Sequence, residues 1–571
     1  MQAAMILLWN RANMPTNMID YLRITLYATL VVILLVLFQA WDKDHPKKIN
    51  TISSTSSATN NYVPQLTHTN VNAATTTSVP QNTATTIVPT SQNIINITTD
   101  VVQVDINPMG GNIIQVKLLN YPEELYASTP FLLLNDSPET RYLAQSGLLS
   151  QSGPDTVKGQ AIYTTDKTDY VLGKNQKELQ VKLQWKNPQG VVITKLFTFQ
   201  RDSYAIGVDY QITNHSKQLW EGNLYLQLMR KNTPPVSAHG FVNFATFFGA
   251  AISSPEKAYE KISFKQMNNS NLNQTIKGGW AAMIQHYFVS AWVPNKDAMS
   301  QYFTRVTDDG LYTVGMIGPK VTINPGQQVS TQAKFYAGPA IANNLEKVAP
   351  GLQLTIDYGW LWIISVAIFW MMQKIYNVVG NWGWSIVLVT VLIKLMFYHL
   401  SAKSYRSMSS MKKLQPRINA LKERFGDDKQ KFTQATLELY KKEKVNPMSG
   451  CLPILVQIPV FIALYWVLIE SVQLRQAPFI LWIQDLSTYD PYFILPVLMG
   501  LSMFLQQRLN PPPPDPMQAK IMMFMPVVFT ILFAKFPAGL MLYWFVNNTL
   551  SFLQQWHIMH SLEKAIAKKS K

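Results

Sequence analysis

The chain has 571 residues, of which 47% are hydrophobic and only 14% are charged, and its formal net charge is +16. An average soluble domain carries about 25% charged residues, so this composition indicates that part of the chain has lipid as its solvent. A basic excess is typical of proteins that meet nucleic acid, acidic partners or anionic membranes, and the positions of the charges must decide. The single cysteine, Cys451, excludes an intramolecular disulfide, and no Cys or His spacing predicts a metal site.

The first apolar run covers residues 24–41 and follows a short N-terminus, residues 1–23. A cleaved signal peptide has an apolar core of ~7–15 residues and a small-residue cleavage site. This run is longer and ends in an interfacial aromatic, Trp41, so we interpret it as an uncleaved transmembrane anchor, with a cleaved signal as the alternative. Met14 and Met18 are alternative start sites.

A polar tether is predicted over residues 42–100. Residues 49–99 contain no Asp, Glu, Lys or Arg and few large apolar side chains. Such a segment cannot bury enough apolar surface to offset the entropy cost of ordering, so we predict that the tether is disordered.

Between residues 101 and 350 short runs alternate apolar and polar residues, as in residues 179–185, with turn residues between them. This pattern predicts antiparallel sheets with one buried face, and its length predicts a large β-sandwich domain. No catalytic motif in it rises above chance, and the pairs Gly110-Gly111 and Gly278-Gly279 are interpreted as turns.

The composition changes sharply after residue 350. Residues 351–380 mix aromatic residues and Lys374 with apolar ones, which favours an amphipathic helix at the membrane interface. The apolar runs that follow predict five transmembrane helices, over residues 381–400, 449–470, 491–508, 520–536 and 538–556. With the anchor they make six spans, so the predicted fold class is an α-helical polytopic membrane protein with a large extracytoplasmic β-sandwich domain.

Basic residues mark cytoplasmic loops in membrane proteins. Residues 401–447 contain 12 basic and five acidic residues, a net +7, whereas residues 471–491 contain one basic and two acidic residues. The first loop is therefore predicted to be cytoplasmic and the second periplasmic. Six spans then place both termini, including the basic tail at residues 557–571, in the cytoplasm and the β domain in the periplasm.

The cytoplasmic loop also has a helical pattern, because its apolar residues recur at three- and four-residue spacing. The stripe consists of Met408, Met411, Leu414, Ile418, Leu421 and Phe425. Gly426 then predicts the end of one helix, and Asp427 and Asp428 predict the N-cap of the next. We predict a helical hairpin that docks partners or handles substrate, with a solvated basic hairpin packed on the membrane surface as the alternative.

Lys394 lies inside the predicted span at residues 381–400, where a cation costs ~2.5–3.5 kcal/mol at the centre of the bilayer. No Asp or Glu lies in the core of another predicted span. Lys394 is therefore predicted to face water or a substrate, with snorkelling to the headgroups as the alternative. Other polar or aromatic residues of the spans could line a polar groove or serve as ordinary interhelical contacts.

Seven short strings, in this order along the chain, resemble the YidC membrane protein insertases of Gram-negative bacteria. They are Asp357-Tyr-Gly-Trp-Leu-Trp362, Gly380-Asn-Trp-Gly383, Leu414-Gln-Pro416, Gly426-Asp-Asp-Lys-Gln430, Lys444-Val-Asn-Pro447, Leu474-Arg-Gln-Ala-Pro-Phe479 and Phe536-Pro-Ala-Gly539. The resemblance implies a β-supersandwich outer domain and a hydrophilic groove within the last five spans, open to the cytoplasm and to lipid. By motif position the groove residues are Lys394, Thr390, Gln457, Tyr543, Trp544 and Asn547.

The resemblance also implies the partners: nascent membrane-protein clients, the Sec translocon and membrane lipids, with the ribosome as a further candidate through the basic hairpin and tail. It implies no cofactor, no catalysis and no direct DNA binding. The chain departs from the family at its groove cation, which is usually arginine, and lysine lacks the planar fork of that side chain. Further departures are His399 for an expected proline, Trp544 for a tyrosine and Asn547 for a serine.

A small-molecule or ion transporter is the main alternative function. Transporters tend to carry ionisable residues in several spans and to contain internal repeats, whereas this chain has one intramembrane cation and no repeat. A sugar-binding sensor that uses the β domain is a third hypothesis, and its signature would be clustered exposed aromatic residues and carboxylates.

Overall fold

A computed structural model describes residues 63–64, 94–156, 159–233, 246–425, 428–443, 445, 452–510 and 516–569. The predicted anchor at residues 24–41, most of the predicted tether and Asp427 lie outside the described residues.

The strands of the described residues are β1 (Ile95–Thr98), β2 (Val102–Asn107), β3 (Asn112–Pro122), β4 (Pro130–Leu134), β5 (Tyr142–Leu149), β6 (Asp169–Val171), β7 (Glu178–Lys186), β8 (Val191–Gln200), β9 (Ala205–Asn214), β10 (Trp220–Lys231), β11 (Phe248–Ser253), β12 (Glu260–Ser263), β13 (Asn273–Lys277), β14 (Trp280–Gln285), β15 (Phe288–Val293), β16 (Met299–Val306), β17 (Leu311–Ile323) and β18 (Gln328–Pro339). Several of them alternate buried positions with less buried ones, as β8 does along its whole length.

The strands form two sheets, which confirms the predicted β-sandwich. One has ten strands in the order β13-β16-β17-β10-β5-β3-β2-β1-β6, with β4 also paired to β3. The other has eight strands in the order β12-β11-β14-β15-β18-β9-β8-β7. The strands begin earlier than predicted, because Ile95 and Ile97 of β1 are fully buried in the core. The four-residue alternation of β1 is too short to stand out from the polar sequence before it, so the end of the predicted tether at residue 100 is corrected.

A buried lysine lies between the two sheets. The ammonium of Lys195, in β8, donates hydrogen bonds to the carbonyl oxygens of Gly110 (3.1 Å), Gly111 (2.8 Å) and Ser146 (2.8 Å). Both glycines have positive φ, as the predicted turn requires, and a Cβ at Gly111 would lie 3.1 Å from Cδ of Lys195. Burial lowers the pKa of Lys195 and raises the pKa of the neighbouring Asp155 carboxyl.

Helices dominate the chain after the sheets. The helices are α1 (Phe264–Asn269), α2 (Ala342–Val348), α3 (Trp362–Val379), α4 (Trp382–Met396), α5 (Tyr398–Phe425), α6 (Lys429–Lys442), α7 (Leu452–Glu470), α8 (Ile494–Leu509), α9 (Pro516–Phe533) and α10 (Ala538–Lys569). Their bounds differ from those of two predicted spans. The predicted span at residues 381–400 breaks at Phe397, and the last helix continues to Lys569, far beyond the predicted end at residue 556.

The number of predicted spans is not confirmed. Among the described residues one helical segment, Gly359–Val379, is long and apolar enough to cross a membrane by length and composition. The pair α4 and α5 passes the same test only together, with a bend of 67° between them. Three further apolar helices are shorter: Leu455–Glu470, Ile494–Leu509 and Ala519–Phe533. The segment that passes is the one predicted to lie at the interface.

The β domain contacts the loop between α7 and α8 through Arg475. The Nη2 atom of Arg475 donates to the carbonyl oxygens of Pro122 (2.8 Å) and Glu123 (2.9 Å). The guanidinium also lies over the rings of Phe131 (5.5 Å) and Phe288 (5.7 Å). These contacts join both sheets of the β domain to the end of the helical region that lies opposite the hairpin.

Candidate functional site

Helix α4 carries Lys394 and is fixed at its start by Asn381. The Asn381 side chain accepts a hydrogen bond from the backbone N–H of Trp384 (3.0 Å), which caps the helix. Its amide nitrogen donates to the carbonyl of Phe479 (3.1 Å) in the loop that contacts the β domain. Because an α-helix rises ~1.5 Å per residue, Lys394 lies about 20 Å from this cap, near the other end of α4.

The Lys394 ammonium joins three helices. Its Nζ donates to Oγ of Ser551 in α10 at 2.6 Å and lies 3.5 Å from Oε1 of Gln457 in α7. Both partners are neutral, and among the described residues no carboxylate pairs with Lys394. The cation is therefore held by groups that can release it without leaving a buried unpaired negative charge.

A cavity of about 30 Å³ surrounds the ammonium. That volume has room for about one or two water molecules. The cavity is lined by Thr390, Ile393, Lys394, Phe397, Leu400, Ser401, Val456, Gln457, Val460, Tyr543 and Asn547. Five of the six groove residues named from the sequence therefore lie around one space, which combines a cation and polar side chains with an apolar wall.

The polar groups around the cavity have partners on the helices that form it. Thr390 donates to the carbonyl of Ile386 (2.6 Å), so its hydroxyl hydrogen is already used. Tyr543 shares a side-chain hydrogen bond with Gln457. The backbone carbonyl of Asn547 accepts a hydrogen bond from Ser551 (2.7 Å). The lone pairs of these groups remain available to water or to a polar client group.

Trp544 is the one predicted groove residue that the structure places elsewhere. Its ring packs against Phe461 (4.7 Å between ring centroids), Phe533 (4.7 Å) and Phe529 (6.3 Å). It therefore belongs to an aromatic cluster between α7, α9 and α10, and it does not line the cavity. Residue 544 follows residue 543 by one helical position, so the two side chains point about 100° apart around α10.

Ser551 was missed in the sequence because it lies just inside the predicted end of the last span. Tyr543, Asn547 and Ser551 are spaced by four residues, and such positions lie on one face of a helix. Extending the polar face by one more turn would have identified Ser551. Only 3% of its surface is exposed, so its hydroxyl is a buried polar group that needs partners.

The hairpin consists of α5 and α6, and its apolar stripe divides between two contacts. Met411 and Leu414 pack with Ile418 and with Tyr440 of α6. Met408 instead packs in a cluster with other residues of α5 and α10. That cluster consists of Ala402, Tyr405, Met408, Ile558 and Leu562. The base of the hairpin therefore rests on the last helix, while its outer half forms a small core of its own.

The turn of the hairpin has the predicted cap. The Asp428 side chain accepts hydrogen bonds from the backbone N–H groups of Lys431 (3.0 Å) and Gln430 (3.2 Å). The N–H of Lys431 holds the pKa of the Asp428 carboxyl below its usual range. Phe425 ends α5 with the guanidinium of Arg424 over its ring, at 5.2 Å.

Beside the cavity the helices expose an apolar surface. Its exposed large side chains on α4, α7 and α9 are Leu388, Leu392, Leu395, Leu455, Ile458, Phe524, Val527, Val528 and Ile531. Exposed apolar side chains of this kind are suited to contact with lipid or with an apolar helix.

Two family models match consecutive parts of the chain. The model of the YidC periplasmic domain matches residues 94–371, and the model of the 60Kd inner membrane protein matches residues 374–565. The boundary between them falls within α3.

Curated relatives match over nearly the whole length. The chain is 46% identical to a membrane protein insertase YidC of Pseudomonas fluorescens (strain SBW25), over 96% of this chain and 99% of the relative. It is 47% identical to that of Azotobacter vinelandii, over 96% and 99%, and 48% identical to that of Legionella pneumophila (strain Paris), over 94% and 97%. The chain belongs to the YidC family of membrane protein insertases.

Proposed function

We propose that the cavity around Lys394 is the site at which this insertase accepts polar segments of its clients. The chain is an inner-membrane protein with a periplasmic β-sandwich domain, and its clients are membrane proteins. The observation that carries the proposal is the ammonium of Lys394, held among apolar helices by the neutral side chains of Ser551 and Gln457.

The physical reason is the cost of moving polar groups through hydrocarbon. A polar group without a hydrogen-bond partner costs several kcal/mol in a lipid core, and a charged one costs more. A cavity with water, hydroxyl groups and a cation lowers that cost for a client segment while it is being transferred. The exposed apolar surface of α4, α7 and α9 would guide the apolar helices of the client into lipid. No covalent chemistry and no cofactor are needed.

The proposed topology has six spans, with both termini in the cytoplasm and the β domain outside. We place α3 along the periplasmic interface of the inner membrane, because Trp360, Trp362 and Trp370 are all more than half exposed on or beside it. Tryptophan is enriched at membrane interfaces. Lys374, whose ammonium lies 5.9 Å from the ring of Trp370, fits the same position.

The basic residues of the hairpin favour binding to a partner in the cytoplasm. The Sec translocon and the ribosome are proposed partners, the latter through the basic residues of the hairpin and of the tail. Protein folding assistance, alone or beside the translocon, belongs to the same proposal.

The test uses two-span clients synthesised in vitro and liposomes that contain the purified protein. The clients differ only in one residue of the translocated loop, Asp or Asn, and protease protection of that loop measures insertion. The yield of the Asp client divided by that of the Asn client is the acidic-to-neutral ratio. We expect Lys394→Ala to lower this ratio about tenfold, because a cation favours an anion strongly at low dielectric. Lys394→Arg should keep it.

The matched control is Lys535→Ala, which removes a cation from the exposed opposite end of the helical region. It should leave the ratio unchanged. An unchanged ratio in Lys394→Ala would contradict the role of the cavity and leave Lys394 as a snorkelling residue. No protection above protein-free liposomes, with another insertase active in parallel, would contradict insertion by this chain.

A further inference from the structure

The position of Lys394 in α4 allows its ammonium to reach either the cavity or the headgroup region of the membrane. Lys394 lies two residues before the last residue of α4, Met396, at the end that leads to the hairpin. A lysine stem of four methylenes can extend to the headgroup region from such a position. The cavity is the alternative location. Something must therefore hold the ammonium inward, and the structure identifies the group that does so.

The short bond to Ser551 is the main constraint. At 2.6 Å the Nζ–Oγ contact is much closer than the 3.5 Å contact with Gln457. It joins residues 157 positions apart in the sequence and therefore links α4 to α10. Hydrogen bonds to a charged group are shorter and stronger than neutral ones. Losing this one would remove the stronger of the two contacts to Lys394.

The Ser551 hydroxyl is itself oriented. Its single hydrogen is donated to the carbonyl of Asn547, one turn earlier in α10, at 2.7 Å. A hydroxyl has one hydrogen and two lone pairs, so both lone pairs remain for incoming donors. One is directed at Lys394. An oriented acceptor is the arrangement expected where the position of a cation matters.

The second neighbour of this hydroxyl comes from the base of the hairpin. Tyr405 lies in α5, beyond the 67° bend that separates α5 from α4. Its side chain is buried, packs with Ile558 of α10 and lies beside the Ser551 hydroxyl. The base of the hairpin therefore lies next to the residue that holds the cavity cation.

We propose that Ser551 is the positioning residue that keeps the Lys394 ammonium in the cavity, and that Tyr405 ties this residue to the base of the hairpin. The proposal rests on the proposed function of the cavity and adds its regulation. A displacement of α5 away from α10 removes Tyr405 from Ser551 and loosens the acceptor of the cation. The hairpin thereby controls how firmly the ammonium is presented to a client.

The test measures the acidic-to-neutral ratio for Ser551→Ala, Ser551→Thr and Tyr405→Phe. We expect Ser551→Ala to lower the ratio about fivefold to tenfold, since a hydrogen bond to a charged group is lost while Gln457 remains. Ser551→Thr should restore the ratio, because a helical threonine hydroxyl can also bond the carbonyl four residues earlier. Tyr405→Phe should lower it by a smaller factor.

The double variant of Ser551→Ala with Tyr405→Phe should match Ser551→Ala alone, because Tyr405 acts through the hydroxyl that is already gone. Ser502→Ala is the matched control. Ser502 is another buried serine facing α10, where it accepts a hydrogen bond from Asn548 at 3.4 Å, and it does not line the cavity. Loss of this hydroxyl should lower the yields of both clients equally, if it lowers them at all.

The outcomes separate the inference from the function on which it rests. If Lys394→Ala lowers the ratio and Ser551→Ala does not, the positioning role is overturned and the cavity keeps its function. If Ser551→Ala and Ser551→Thr lower both yields equally, as Ser502→Ala does, Ser551 is a packing residue and the inference is again overturned. An unchanged ratio in Lys394→Ala contradicts the proposed function itself, and the inference with it.

Discussion

Among the described residues, Lys195 in the β-sandwich is buried and Lys394 in the helical region is largely buried, and their surroundings differ in kind. Lys195 in the β-sandwich is fully buried and donates to three backbone carbonyl oxygens within 3.1 Å, with Asp155 beside it. Lys394 in the helical region donates to side-chain oxygens of Ser551 and Gln457. One cation is enclosed by the backbone, and the other is held by side chains that can rotate.

On the proposed function, the difference separates a structural cation from one that meets the client. The acceptors of Lys195 are carbonyls of strand β5 and of the tight Gly110-Gly111 turn between β2 and β3, and backbone groups of this kind cannot turn away without disrupting the sheet, so the Lys195 ammonium cannot be offered to a ligand. The Asp155 carboxylate is fixed in the same way, because the backbone N–H groups of Leu148 (3.1 Å) and Ala161 (3.4 Å) donate to it. The cation of the cavity has no such enclosure, and a client group can replace its neutral acceptors at little cost.

The largest effect that this comparison predicts is on stability, at Lys195. We expect Lys195→Met to lower the free energy of unfolding of the β domain by about 3–5 kcal/mol, because it leaves the Asp155 carboxyl buried without its cation. Hydrogen exchange of the amides in β8 and β9, measured on the full-length protein, gives this free energy. The acidic-to-neutral ratio of insertion should not change.

Two further variants test the reason for that loss. Lys182→Met removes an exposed lysine from the neighbouring strand β7 and should change the stability by less than about 0.5 kcal/mol. Lys195→Met combined with Asp155→Leu should recover part of the loss, because no buried charge remains. If Lys195→Met lowers the free energy of unfolding by less than Lys182→Met does, Lys195 is not a structural cation and the comparison fails at that residue.

The second prediction gives Lys394 the counter-charge that Lys195 already has. Gln457→Glu places a carboxylate where the neutral oxygen lies, 3.5 Å from Nζ. We expect the acidic-to-neutral ratio to fall about tenfold, because the client carboxylate must now compete with a resident one. Insertion of the Asn client should fall less.

The control at this position is Gln457→Met, which removes the acceptor and adds no charge. Its ratio should remain within about twofold of wild type, because Ser551 still holds the ammonium through the stronger hydrogen bond. Equal ratios in Gln457→Glu and Gln457→Met would show that the charge state of the surroundings does not matter, which would contradict the comparison.

The sequence alone predicted features that follow from a regular spacing of apolar residues, from a capping residue, or from a single charge that is costly to place in lipid. Alternation predicted the β-sandwich, and the N-cap at Asp428 followed from residue type and position. Lys394 stood out because a cation in an apolar run is expensive. The cavity around it brings together Thr390, Gln457 and Tyr543, which the sequence marked as polar residues of the spans and which the family resemblance assigned to the groove.

Other features depend on contacts between distant parts of the chain, and these were not predicted. Lys195 occupies an inward position of β8, between Ile193 and Phe197, so alternation alone would have marked it as buried. Its partners come from the Gly110-Gly111 turn, about 85 residues earlier, and from Ser146 in β5, 49 residues earlier, and no local rule names them. The break at Phe397 follows in the same way from the packing of α5 on α10, where Tyr405 contacts Ile558.

The smallest predicted effect concerns a third cation, Arg475, whose acceptors are backbone carbonyls like those of Lys195. We therefore expect Arg475 to be a structural cation, as Lys195 is, although it lies partly exposed at the contact between the β domain and the helical region. Arg475→Lys can keep one of the two hydrogen bonds to Pro122 and Glu123, so we expect local protection of the loop at residues 471–477 to fall by about 1 kcal/mol. Hydrogen exchange measures this loss, and Arg508→Lys, on the exposed end of α8, is the matched control. The acidic-to-neutral ratio should stay within about twofold of wild type, since no client carboxylate has to displace Arg475 from its carbonyls. A fall in that ratio as large as the one expected for Lys394→Ala would mean that backbone acceptors do not mark a cation as structural in this protein.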